Sequence, residues 1–139
     1  MSDNSSLKRY LIDAAREDDG ASSAPDQTDE EDYGTFGWLR GVRERSLMLE
    51  FRKRDGGSTA LDYGWLKRID FDPSQGITLH FDDQTVRIVG RNLDREIRTN
   101  VRLLRGLFSH RIPWIKEARE ADLMRAGDKD VVIEEFRWS

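Results

Sequence analysis

The sequence contains no cysteine, which removes disulfide bridges, thiolate zinc sites and cysteine nucleophiles from consideration and fits a reducing compartment. Histidine is scarce: there are only His80 and His110, and neither stands in a His-Glu-x-x-His spacing. No apolar run approaches the roughly 18–20 residues of a membrane span, and Met1-Ser2-Asp3-Asn4 lacks the basic and apolar regions of a signal peptide. There is no Gly-x-x-x-x-Gly-Lys-Ser/Thr loop, and Arg54-Asp55-Gly56-Gly57 reads as a strand connection instead of a helix opening. No serine occupies a nucleophile-elbow setting. These absences lead to the expectation of a cytoplasmic, non-enzymatic chain with no catalytic residues, no metal site, no cofactor and no membrane association. An enzyme whose site leaves no mark in the sequence is the third-ranked reading.

What is present is charge, unevenly placed. Residues 36–119 hold 17 Lys and Arg against 11 Asp and Glu, whereas residues 1–35 hold 3 against 10 and residues 120–139 hold 3 against 6. The formal charge of −4 therefore hides a basic centre between acidic ends. Such asymmetry attracts phosphates, acidic peptides or the chain's own acidic segment.

This division sets the expected organisation: an acidic N-terminal segment, 1–35; one β-rich domain, 36–119; and an acidic C-terminal extension, 120–139. Residues 17–35 are too poor in apolar side chains to offset the entropy of ordering and read as a flexible linker. Ahead of them Leu7, Tyr10, Leu11, Ala14 and Ala15 follow helical spacing, either as a docking segment or as a frayed tail. The five carboxylates between Asp26 and Asp32 either fold over the basic face or serve as a solubilising tail.

Inside the domain the hydrophobic period is two. Leu47, Leu49 and Phe51 alternate with Met48, Glu50 and Arg52, and Asp55-Gly56-Gly57 is a turn signal. The return runs from Thr59 to Tyr63 and on from Trp65 to Phe71, with a bend at Gly64. Asp72-Pro73-Ser74-Gln75-Gly76 opens a second hairpin, in which Ile77, Leu79 and Phe81 turn through Asp82-Asp83-Gln84 to Val86 and Ile88.

After Gly90 the spacing becomes helical. Leu93, Ile97, Val101, Leu104 and Phe108 form an apolar face, Asn92 is placed to cap it, and Asp94 and Glu96 suit the first turn. On the same helix, 92–109, and the residue just before it, Arg91, Arg95, Arg98, Arg102 and Arg105 recur at steps of four, three, four and three and would form one positive stripe, which Arg87 extends from the sheet. Arginine forks match phosphate oxygens, so these six residues are the candidate nucleic-acid contacts; the bland alternative is a solvated, ion-paired surface. Pro113 stops the helix, Ile112, Trp114 and Ile115 read as an extended segment, Glu117–Arg125 as further helix and Val131–Trp138 as a short strand.

Two of these stretches resemble the signatures of the Sm and Sm-like family of small five-stranded barrels, which end in Asp-x-x-Met-Asn before an apolar strand and in Ile-Arg-Gly-x-x-apolar near the fourth. They appear as Asp72-Pro73-Ser74-Gln75-Gly76-Ile77 and Ile88-Val89-Gly90-Arg91-Asn92-Leu93, within residues 46–93. The resemblance implies a small barrel. In the family an asparagine and an arginine of these motifs line an RNA pocket, and here Gly76 and Val89 stand in their places. The chain also resembles small bacterial proteins, a likeness that implies no function.

The fold expected is α+β: a small, strongly bent antiparallel sheet or barrel packed by one arginine-rich amphipathic helix. The function expected is protein interaction through a sheet edge, tryptophans or charged faces, the alternative being RNA or DNA binding by the arginine stripe, modulated by the acidic segment. Trp38, Trp65 and Trp114 are read as core in preference to base-stacking surfaces. Trp138 is the tryptophan placed to anchor a partner.

Overall fold

The computed structural model describes residues 30–139, and by its contacts the chain divides into Met1–Glu30 and Glu31–Ser139. The candidate helix at residues 7–15 and most of the acidic linker lie outside the described residues.

Nine strands and two short helices follow one another. They are β1 (Glu30–Asp32), β2 (Gly37–Leu39), β3 (Met48–Arg52), β4 (Ser58–Asp62), β5 (Leu66–Asp72), β6 (Gly76–Phe81), β7 (Thr85–Arg91), α1 (Leu103–Phe108), β8 (Trp114–Lys116), α2 (Glu120–Arg125) and β9 (Val132–Trp138). They form three sheets, ordered β1-β2, β4-β3-β8 and β5-β6-β7-β9.

The local turns form where their chemistry demands. Asp55-Gly56-Gly57 joins β3 to β4 with Leu49 opposite Leu61, and Asp72–Gly76 joins β5 to β6 with Ile69 opposite Leu79. The Asp72 carboxylate accepts the Ser74 N–H at 2.8 Å, an Asx turn. At Gly64 the chain bends through a 3-10 turn, Tyr63–Trp65, where the Asp62 carboxylate accepts the Gly64 N–H at 2.7 Å. That bend moves the chain from one sheet to the next: β4 pairs with β3, while β5 pairs with β6.

The α+β expectation is overturned. Among the described residues strand predominates, the sheets do not close into a barrel, and no long helix packs across them. Only six of the residues expected in the 92–109 helix are α-helical. The rest is turn, because Asn92 and Asn100 take φ values of 56° and 65°, which end a right-handed helix wherever they occur. Asn92 donates its side-chain amide to the Asp128 and Asp130 carbonyls at 2.9 and 2.8 Å instead of capping a helix. Ile97 and Val101 share a backbone hydrogen bond of 2.9 Å that closes a tight loop over Arg98–Asn100. Thr99, Asn100 and Val101 are also poor helix formers.

Closure fails because late segments take the edges that a barrel would join. β8 lies parallel to β3, with Phe51 opposite Ile115, and β9 lies antiparallel to β7, with Ile88 opposite Phe136. The inner faces of the two larger sheets meet at Phe51, whose ring stands edge-on to Phe136 at 5.3 Å and to Phe81 at 6.5 Å. Leu103, Leu104 and Leu107 of α1 complete this core, together with Ile112 and Ile133.

Candidate functional site

The six candidate arginines do not share one helix. Arg87 and Arg91 sit on β7, Arg95 and Arg98 in the loop beyond it, and of the remaining two Arg102 precedes α1 and Arg105 lies within it. Arg91 approaches Glu134 at 3.5 Å, and Arg102 approaches Asp94 and Glu96 at 3.9 and 3.8 Å. Arg87 donates to Gln75 at 3.2 Å. Arg98 approaches Glu31 at 3.4 Å, so the described end of the acidic segment reaches one arginine of the set. Among the described residues only Arg95 and Arg105 of the six have no side-chain partner. No helical face collects them.

The tryptophans divide as well. Trp38 and Trp114 are buried, with the Arg52 guanidinium 4.2 Å above the Trp114 ring, whereas Trp65 is exposed. Trp138 folds back: its ring meets Phe51 at 5.0 Å, and Lys53 covers it at 5.4 Å. His80 lies on the outer face of β6, 2.9 Å from the Asp70 carboxylate, and Arg68 holds the same carboxylate. This hydrogen bonding, from Arg68 first, keeps Asp70 below the usual carboxylate range. His110 stacks on Tyr63 at 4.4 Å between ring centroids. Among the described residues no three His, Asp or Glu side chains converge on a metal position, and no helix is long and apolar enough to cross a membrane.

Hydrogen bonds link a different set of segments. The Arg111 guanidinium donates to the carbonyls of Leu39, Gly41 and Val42 at 2.6, 3.0 and 3.0 Å, fixing the loop after β2. Ser46 donates its N–H to the His110 carbonyl at 2.7 Å, and Tyr63 donates its own to Leu47 at 3.0 Å. The loop, the end of α1 and the start of the 3-10 turn are thereby tied together. They carry Val42, Leu47, Met48, Trp65 and Phe108, exposed by 82, 83, 42, 57 and 55%.

Sequence reasoning placed Leu47 with Leu49 and Phe51, and Phe108 with the core face of a helix. Both point outward, because β3 begins only at Met48 and α1 is too short to carry the helical period from Leu93 to Phe108. Val42 carried a signal, a branched apolar residue between Arg40 and Arg43 in a charged stretch, but exposure is not legible from one sequence. Arg43 and Arg105, near these residues in the chain, form no ion pair among the described residues. Compared with protein-family models, with curated proteins and with solved structures, the chain finds no match.

Proposed function

We propose that the chain is a non-enzymatic protein-interaction module whose docking surface comprises Val42, Leu47, Met48, Trp65 and Phe108. One observation carries this reading: Val42 and Leu47 are more than four-fifths exposed on a loop that Arg111 pins by three hydrogen bonds. Apolar side chains this exposed leave a surface that gains free energy when something covers it. A loop already fixed in place avoids much of the ordering entropy of binding.

Charge selects the partner. Arg43 and Arg105 are unpaired among the described residues and belong to the same two segments, so the complementary face is apolar at its centre with carboxylates at its rim. A second copy would set these arginines against their own kind. Nucleic-acid binding has less support, because the helix expected to align the arginines is absent and Arg91, Arg98 and Arg102 already lie near carboxylates.

The test compares proteins captured from lysate by wild type and by a folded Leu47→Ser, Phe108→Ser variant, at 0.1 and 0.5 M NaCl. The reading requires a partner that is lost with the variant and retained at high salt. It fails if every captured protein binds the variant equally, if salt alone removes them, or if sedimentation shows a dimer that the variant dissolves. Anisotropy with labelled single-stranded RNA and double-stranded DNA over the same salt range separates the alternative: binding that falls steeply with salt and is lost in an Arg91, Arg95, Arg98, Arg102 and Arg105 to Ser variant favours nucleic acid.

A further inference from the structure

A cleft of about 610 Å³ opens elsewhere, walled by the β1–β2 turn, the loop at residues 95–97, the end of β8, α2 and the start of β9. Its walls are fastened to one another. Lys116 donates its backbone N–H to the Thr35 carbonyl at 2.9 Å and Ala118 donates to Ile133 at 2.8 Å. The Thr35 hydroxyl donates to the Val131 carbonyl at 2.9 Å. Four cations and three carboxylates line the space.

The carboxylates are engaged with the protein itself. Asp122 accepts the Arg119 N–H and pairs with Arg125, both at 2.9 Å. Asp130 accepts the Gly127 N–H at 2.8 Å, and Glu96 accepts the Asn100 N–H at 2.7 Å. The remaining cations, Arg95, Lys116 and Lys129, form no ion pair among the described residues. Of these, Lys116 acts on the cleft carboxylate Asp122, which is held below the usual carboxylate range chiefly by the Arg119 N–H and further by Lys116 and Arg125.

We infer that this cleft binds a small organophosphate, its phosphate among Arg95, Lys116 and Lys129 and its organic body against Tyr33, Ile97 and Val131. The volume falls within the roughly 300–1,000 Å³ of small-molecule sites. Asp122 pairs with Arg125 and Glu96 lies 3.8 Å from Arg102, which leaves Asp130 against Arg95, Lys116 and Lys129, an excess of positive charge that favours a dianion over a singly charged carboxylate. An arginine fork beside two lysine point charges suits a tetrahedral oxyanion. The half-exposed Ile97 and the Tyr33 ring supply apolar contact beyond the phosphate. This inference rests on residues separate from the docking surface.

The experiment titrates the ¹⁵N-labelled full chain with inorganic phosphate and with adenosine monophosphate at low ionic strength. Saturable shifts at Thr35, Arg95, Lys116 and Lys129 are expected, with the nucleotide binding at least fivefold more tightly than phosphate. An Arg95→Gln, Lys116→Gln, Lys129→Gln variant should weaken binding tenfold or more, whereas Arg137→Gln, on β9 outside the cleft, should not. If the triple variant does not fold, Lys129→Gln alone should weaken binding about threefold, since a rim cation contributes under about 1 kcal/mol. No saturation with either probe, equal loss with Arg137→Gln, shifts elsewhere, or undiminished affinity in the cleft variant overturns the inference.

Discussion

The Tyr63 hydroxyl donates a 2.7 Å hydrogen bond to the Ile112 carbonyl, joining the 3-10 turn to the segment that enters β8, 49 residues away in sequence. The ring is almost fully buried. Removing the hydroxyl leaves a buried carbonyl without its donor, so Tyr63→Phe should cost about 1–3 kcal/mol in urea unfolding.

The same hydroxyl gives an alkaline signature. Burial raises the Tyr63 pKa above its ordinary 10.0, so the folded state keeps the proton that the unfolded chain releases. The contribution is complete below about pH 10 and is lost as the pH rises above it. Between pH 8 and 11 the wild-type urea midpoint should fall more than that of Tyr63→Phe. Equal falls would mean that the folded hydroxyl titrates normally.

Acid acts through a different turn. Asp72 is held below the usual carboxylate range, first by the Ser74 hydroxyl and then by the Ser74 N–H. A depressed folded pKa gives stability that is present above the unfolded value of about 3.9 and lost as the pH falls through the folded one. Asp72→Asn should therefore show a shallower loss of stability than wild type between pH 5 and 2, measured by thermal melts across that range.

Gly76 has a φ of 108°, and a Cβ there would lie 2.1 Å from the Ile88 carbonyl oxygen. Gly76→Ala should destabilise by about 2 kcal/mol or more, combining left-handed strain with displacement of a backbone atom.

Phe51, on β3, joins its sheet to the other large sheet through Phe81 and Phe136. Phe51→Ala should cost about 3–5 kcal/mol, and Phe51→Leu noticeably less, by denaturant titration. A cost near 1 kcal/mol for the alanine would mean that the sheets close over the void.

What the sequence revealed was local. The turns at Asp55-Gly56-Gly57, Asp72–Gly76 and Asp82-Asp83-Gln84 carry their own chemistry, and the alternation of Ile77, Leu79 and Phe81 marks a strand whatever surrounds it. The pairing of Phe51 with Ile115 has no such local mark, because it depends on a meeting 64 positions apart in the chain. The helical reading of residues 92–109 failed for a related reason. Leu93, Val101 and Leu104 are buried as the period requires, but a looped segment buries them, leaving Ile97 and Phe108 substantially exposed. The arginine spacing was legible, and its gathering onto one face depended on that helix. The exposed Val42, Leu47 and Phe108 were visible only as hydrophobes, a class that sequence logic assigns inward.

The pairings of β8 with β3 and of β9 with β7 bear on how the protein is made. While a ribosome is still synthesising residues before 114, β3 and β7 each present an unpaired strand edge, and the nascent chain cannot complete either larger sheet. Exposed edges of this kind recruit other strands. The order of synthesis thus leaves the β3 edge open until β8 emerges and the β7 edge open until β9 does.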